Sequence, residues 1–527
     1  MLRSQSLLPV VTSEEAAARD RAAIDAGIPS RALMQRAGAA TAAEIALRFG
    51  ERLSAGALVL AGPGNNGGDG WVIARALAMA GVRVRVCEPV AARTDDARAE
   101  RALALASVEV VETTAESLAS EDIYRGEGVV IDALLGTGAS GPPREPLASA
   151  VAGLRAMRRR NAAIVAVDIP TGVDASTGAA HRPARADVTF TYGTLKRGHL
   201  LARAACGRVV VLDIGLPSSD APVDDSALVV TGRFVAGHVP RIAPDAHKGT
   251  RRKIAIVGGG AGMSGAAILA ARSAWRSGVG MVKLVVARDA LDSIRAAEPQ
   301  SLTAAWPESA ADVKRDIAGW ADAVVIGPGL GAGRQARDIV ERICADFAGP
   351  LVLDADALNA FSGDMQGLAR AIGARPAVLT PHPAEFARLT GRAVDDVLGK
   401  RFDIARSLAR YTGAVVLLKG QPTIVTAPDG QRLVSATGTP LLAAAGSGDV
   451  LSGMIATLLA QTGDPATAAA CSAWVHGRAA WLAQRGSADA RGFTLDDVLA
   501  HLARAWSVRS RPARYPVLLE LPDLARR

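Results

Sequence analysis

The stretch Ala445-Gly446-Ser447-Gly448 leads into a single carboxylate, Asp449, and an apolar run follows through Val450, Leu451, Gly453, Met454 and Ile455. This pattern predicts a tight loop opening a helix. Free backbone N–H groups at a helix start attract anions, and glycines let phosphate oxygens come close. A carboxylate at that spot would repel an anion, so its presence points to a base that meets a hydroxyl beside a phosphate. Alone, these residues are more commonly a Gly-rich turn with an Asp helix cap. The other loops of the chain favour the chemical reading.

Five more polar loops follow short apolar segments in the second half. Lys253–Val257 runs into Gly258 through Ala267. Ala323–Ile326 feeds Gly327-Pro328-Gly329-Leu330-Gly331, and Leu351–Leu353 feeds Asp354-Ala355-Asp356-Ala357-Leu358-Asn359. Ala377–Thr380 feeds Pro381-His382-Pro383-Ala384-Glu385, and Ala414–Leu418 feeds Lys419-Gly420-Gln421-Pro422-Thr423. His382 alone could be a core histidine, and Lys419 alone a surface charge. Six such loops in succession are hard to explain as packing, and they suit two phosphate-bearing ligands bound end to end.

The first half repeats the logic. The strand Gly56–Ala61 enters Gly62-Pro63-Gly64-Asn65-Asn66-Gly67-Gly68-Asp69-Gly70, and a helix is predicted from Trp71 to about Ala80. Strand, Gly-rich turn and helix form a phosphate-cradling unit. A plain turn does not require two Asn and an Asp. Strands are predicted at Val82–Cys87, Val108–Val111 and Val129–Ile131, with helical stretches such as Asp96–Leu105 between them. That alternation predicts a parallel sheet covered on both faces, with ligands at the carboxyl ends of its strands. Asp132 ends one strand, and Asp168 ends Ile164–Val167 and precedes Thr171. Lys196 follows Val188–Tyr192.

Bulk properties agree. A chain of 527 residues implies two or more domains. With 49% hydrophobic and 21% charged residues it is globular, and only 4% aromatics leaves Ala, Val, Leu and Ile to build the cores. The net charge of +8 is carried almost wholly by Arg, without a basic tract. This reads either as an Arg- and Ala-rich coding bias or as attraction for anionic, phosphorylated ligands, two compatible readings, and does not suggest nucleic-acid binding. Cys87, Cys206, Cys344 and Cys471 are too scattered for a disulfide framework or zinc site, so a reducing, cytoplasmic setting is expected. No apolar run reaches a membrane-spanning length, and Leu7–Val11 is too short for a secretory segment. The rhythm stops at the Pro-rich Asp213–Pro222, which divides residues 1–222 from 223–527.

Ala61–Gly70, Asp132 with the loop to Pro142, Val167–Gly172, Gly27-Ile28-Pro29 and Leu33-Met34 closely resemble the NAD(P)H-hydrate epimerase domain over roughly residues 10 to 220. The resemblance implies that Asn65, Asn66, Gly67, Gly68, Asp69, Gly136, Thr137, Gly138, Ala139, Ser140, Gly141 and Pro142 hold the hydrated dinucleotide with Asp168. It implies potassium at Asn66, Asp132 and Thr171, with Asp168 as acid/base and Lys196 assisting by charge. Gln35 stands where that family has an acid before Arg36. The order of motifs in the second half resembles the ADP-dependent NAD(P)H-hydrate dehydratases of the ribokinase-like superfamily, over roughly residues 225 to 510. This implies nucleotide contacts at Lys419, Gly420, Gln421, Pro422, Thr423 and Gly448. It implies substrate contacts at Ala266, Gly329, Gly331, His382 and the base Asp449. Met263-Ser264 and Arg251-Arg252 depart from the family pattern.

The expected fold is α/β: two three-layer αβα domains, an N-terminal Rossmann-like epimerase domain and a C-terminal ribokinase-like domain. The implied activities are interconversion of R and S hydrates of NADH or NADPH and ADP-dependent dehydration of the S form, with magnesium accompanying the nucleotide and a homo-oligomeric state. The alternatives are a small-molecule kinase with an accessory domain, and a non-catalytic first half that recruits a partner protein.

Overall fold

The structure, a computed structural model, describes residues 7–120, 123–216, 225–487, 489–508 and 514–524. The expected junction at 217–222 lies outside them. The chain forms two compact units, Leu8–Ser226 with Pro512–Arg527, and Met1–Leu7 with Ala227–Arg511. The sequence reading divides the chain once, whereas here the C-terminal segment groups with the first unit. No helix among the described residues is long and apolar enough to cross a membrane.

The first unit is built on an eight-stranded sheet. Its order is Val517–Leu521, Arg208–Leu212, Val188–Tyr192, Ala163–Val167, Val129–Ala133, Ala57–Ala61, Val84–Cys87 and Glu109–Val111. All pairings are parallel except the edge pair of Val517–Leu521 with Arg208–Leu212. Successive side chains of a strand point to opposite faces, so each strand serves two cores. Ala57, Val59 and Ala61 join one buried cluster, while Leu58 and Leu60 join the other. The winding reverses between Ala57–Ala61 and Val129–Ala133. At such a switch point the loops diverge and open a crevice. The crevice is walled by the helix start after Ala57–Ala61, which carries Asn66, and by the loop after Val129–Ala133, which carries Gly136.

The second unit follows the same logic. Its sheet runs Leu302–Ala305, Met281–Val286, Lys253–Val257, Ala323–Ile326, Leu351–Leu353, Ala377–Leu379, Val415–Leu418, Thr423–Thr426, Arg432–Ser435 and Ala227–Val229. The first seven strands are parallel, and the hairpin Thr423–Thr426 with Arg432–Ser435 is antiparallel. Ile254 and Ile256 face one core, Ala255 and Val257 the other. The parallel strands place five of the polar loops at one end of the sheet, and Arg432–Ser435, which runs the same way as Val415–Leu418, brings the sixth to that end. The order reverses between Lys253–Val257 and Ala323–Ile326, beside Ala266 and Gly329.

Candidate active sites

In the first unit the helix begins at Asn65 and runs to Met79, six residues before the predicted start at Trp71. Asn65 to Asp69 therefore form its first turns rather than a free loop. The glycines explain the tight fit. A Cβ on Gly67 would lie 1.8 Å from the Gly62 carbonyl oxygen, and one on Gly68 2.6 Å from the end of Met34. Gly138 and Gly141, in contrast, face open space, and Ser140 and Pro142 are exposed, so this loop offers an accessible surface to a ligand.

Asp132 is buried and takes three hydrogen bonds: 2.6 Å from Thr171 Oγ1, 2.9 Å from the Thr171 N–H and 3.3 Å from the Leu134 N–H. Burial pushes its carboxyl up, against those bonds. The Asn66 amide is buried with neither its oxygen nor its nitrogen hydrogen-bonded. A Cβ on Gly136 would touch it at 3.2 Å. A buried amide seldom goes unpaired without reason.

Asp168 follows Val167 with φ of +64°. Lys196 Nζ lies 2.6 Å from its Oδ1, Thr191 Oγ1 donates to the same oxygen at 3.0 Å, and the Thr137 N–H donates to Oδ2 at 3.3 Å. Burial opposes ionisation of Asp168, but the Lys196 ammonium and these bonds outweigh it and hold the carboxyl below its usual range. Asp69 behaves in the opposite way. Burial, then the charges of Asp168 and Asp20, raise it well above the carboxylate range. The two carboxyls are thus shifted in opposite directions, Asp168 down and Asp69 up, the kind of separation acid/base chemistry uses. Gln35 donates to Glu100 at 2.7 Å, where Arg31 and Arg75 also bind.

In the second unit Asp449 sits in the first turn of Ser447–Thr462, capped by Gly446 at φ of +90°. Asp354, fully buried at the end of Leu351–Leu353, organises its surroundings. Lys419 Nζ reaches Asp354 Oδ1 at 2.8 Å, and Ser452 Oγ donates to Oδ2 at 2.5 Å. Lys419 also faces Glu385 at 3.7 Å. Any Cβ on Gly448 would stand 3.1 Å from Lys419 Nζ, so the two expected nucleotide contacts adjoin. Burial first, and then Asp354, push Asp449 up to about 7. A carboxylate poised near neutral pH suits a general base.

Around the loop Lys419 to Thr423, the buried Arg401 donates to the Pro422 carbonyl at 2.9 Å, and a Cβ on Gly420 would lie 2.1 Å from its Nη1. His382 caps the helix Pro383–Thr390, its Nδ1 accepting from the N–H groups of Ala384 and Glu385. Ala266, Gly329 and Gly331 adjoin Met263, which packs where the family pattern differs. Arg251 and Arg252 precede Lys253–Val257 and so lie at the opposite end of the strands from the site. Arg251 bonds the Gly278 carbonyl and Arg252 faces Asp322.

The structure thus brings Asp168 to Lys196 and Thr137, Asp132 to Thr171, and Asp449 to the Lys419 and Gly448 region. Sequence reading assigned no role to Thr191, His199, Asp354, Glu385, Arg401 or Ser452. Asp354 had a signal, as the first residue after a buried strand. His199 and Arg401 had none, because their partners are backbone groups brought near only by folding.

A family model described as "YjeF-related protein N-terminus" matches residues 30–198, and one described as "NAD(P)H-hydrate dehydratase" matches 254–502. The chain is 36% identical to the "Bifunctional NAD(P)H-hydrate repair enzyme Nnr" of Salinibacter ruber over 95% of this chain and 96% of that protein. It is 34% identical to the protein of the same name from Moorella thermoacetica, over 94% and 96%. A solved ADP/ATP-dependent NAD(P)H-hydrate dehydratase from Bacillus subtilis aligns with 52% of this chain and 96% of its own, at 30% identity and a TM-score of 0.46. Near-full-length identity in both halves shows that the chain belongs to the family of bifunctional NAD(P)H-hydrate repair enzymes.

Proposed function

We propose that the two sites act in sequence on nicotinamide cofactors hydrated at C6. The first unit interconverts the R and S hydrates, with Asp168 moving protons beside Lys196. The loop from Gly136 to Pro142 and the turn from Asn65 to Asp69 hold the dinucleotide. Asn66, Asp132 and Thr171 suit potassium, since the unpaired buried amide of Asn66 supports an oxygen-donor site for a hard cation. When bound, that ion adds positive charge for the dinucleotide phosphates.

The second unit dehydrates the S form. Hydroxide is a poor leaving group, so the C6 hydroxyl is first phosphorylated. Asp449 accepts the hydroxyl proton while the β-phosphoryl of ADP passes to the oxygen, leaving AMP. The backbone N–H groups at Gly446 to Gly448 stabilise the transferring group. Loss of phosphate from C6 and a proton from the adjacent ring carbon restores the double bond of NADH or NADPH. Lys419 to Thr423 hold the nucleotide, and magnesium would offset its phosphate charge. Ala266, Gly329, Gly331 and His382 face the substrate. The carrying observation is Asp449, raised to about 7 in a left-handed glycine turn whose Gly448 adjoins Lys419.

A simple kinase would leave a stable phosphorylated product and give Asp168 and Lys196 no task. Four free, buried cysteines support a cytoplasmic setting, and the exposed Leu47 and Met79 support self-association. The test is incubation with an R/S mixture of NADH hydrate and ADP, following NADH absorbance. Complete conversion is expected. Arrest at the S fraction, beyond spontaneous epimerisation, refutes the first activity, and no conversion with ADP or ATP refutes the second.

A further inference from the structure

His199 is wholly buried in the first unit, and both ring nitrogens are engaged. Nδ1 lies 3.0 Å from the Lys196 backbone nitrogen, whose N–H can only donate. Nε2 lies 2.7 Å from the Asp168 carbonyl oxygen, which can only accept. Those partners select one neutral tautomer, with the hydrogen on Nε2. Burial, and then the Lys196 ammonium, push the ring down to about 4, so it stays neutral at physiological pH.

Both partners are main-chain groups of the residues that bear the chemistry. Asp168 holds φ at +64°, an uncommon conformation for a residue other than glycine, and its surroundings hold it there. Its N–H donates to the Phe190 carbonyl at 2.7 Å, and its carbonyl accepts from His199. The other end of the ring fixes the peptide from which the Lys196 side chain reaches Asp168 Oδ1 at 2.6 Å. An apolar side chain would fill the volume but could not connect these two peptides.

We infer that His199 is a positioning residue of the epimerase site, clamping the Asp168 and Lys196 backbones so that carboxylate and ammonium meet. The inference rests on Asp168 being the acid/base group of that reaction.

The test uses His199→Leu, His199→Asn and His199→Gln in the full chain. R-form conversion is read through the coupled ADP reaction, and thermal unfolding is followed alongside. Leu removes both contacts, and Asn is too short to donate to Asp168. Each should lower kcat for the R form by ~10–100-fold with KM unchanged, as expected for a misplaced catalytic group. Gln retains a donor for the Asp168 carbonyl and should stay within ~5-fold of the native rate. The acid limb of the pH profile should move upward in the Leu and Asn variants. There Asp168 loses its close Lys196 partner while still facing Asp69 and Asp20, with Arg203 beside the ring. S-form turnover should be unchanged in all three.

An unshifted acid limb in the Leu variant, or equal losses in Gln and Leu, would overturn the clamp. Should the variants fail to fold, ¹⁵N shifts of His199 in the native chain decide. A neutral ring protonated at Nε2 from pH 5 to 8 supports the clamp, and any other state overturns it. Absence of native R-form conversion would instead sink the epimerase reading, and the ¹⁵N pattern would still test the clamp.

Discussion

Two carboxylates carry the proposed chemistry, and opposite surroundings tune them. Asp168 is held ionised by Lys196 despite burial, whereas Asp449 is pushed up to about 7 by burial and by Asp354. Asp449 accepts a proton only when ionised, so dehydration should rise with pH through a midpoint near 7 and level off above it. A pH–rate profile for S-form turnover checks this. Asp449→Asn should cut that turnover by ~10²–10⁴-fold, the range for loss of a general base. It should also alter stability with a defined sign. A carboxyl raised on folding contributes stability that is fully present below its unfolded value of 3.8 and is lost as pH rises through about 7. The uncharged variant escapes that loss, so its unfolding temperature relative to the native chain should be higher at pH 8 than at pH 5. Differential scanning at the two pH values reads this.

Loops and helix starts act at the next scale. Gly420 holds φ at +140°, and any Cβ would press within 2.1 Å of the Arg401 guanidinium. Gly420→Ala must therefore displace Lys419 to Thr423 or Arg401. The expected result is at least a ~10-fold rise in KM for ADP, with KM for the S hydrate little changed, since His382 and Gly329 lie on other loops. Steady-state kinetics with each ligand varied separately distinguishes the two. Gly-rich loops were legible here because glycine clusters after apolar runs are visible in one dimension. The helix start at Asn65 was not, because glycines ordinarily break helices. Gly67 and Gly68 are tolerated in the first turns because only a bare Cα fits against Gly62 and Met34.

At the scale of the whole chain, the two chemistries are separable. Asp168→Asn should leave S-form turnover intact while conversion of an R/S mixture stops near the S fraction, beyond the slow spontaneous exchange. The C-terminal strand adds a less obvious dependence. Val517–Leu521 covers the edge strand Arg208–Leu212, and Glu520 pairs with Arg48 at 2.8 Å. Truncation after Arg511, where the second unit ends, would uncover that edge, and unpaired edges are where sheets fray or aggregate. We expect lower thermal stability and loss of R-form conversion, with S-form turnover retained. Unfolding monitored alongside the coupled assay checks both.

The sequence by itself determined the α/β class, the two-part organisation and the main site loops. Apolar runs ending in Gly, Asp, His or Lys can be read from local pattern. It also singled out Asp168, Lys196, Asp449 and Lys419, each polar residue standing just beyond an apolar run or a glycine turn. Only the tertiary structure decided which of them meet. Lys419 could have faced solvent, but it lies on Asp354, 65 residues away. His199 reads as an ordinary residue until folding sets its ring between two peptides. The C-terminal segment gives no local sign that it belongs with the first unit, because its partner strand lies some 300 residues earlier. Periodicity and turn chemistry are local and survive in one dimension, whereas burial, charge pairing and tautomer depend on groups that only the folded chain brings together.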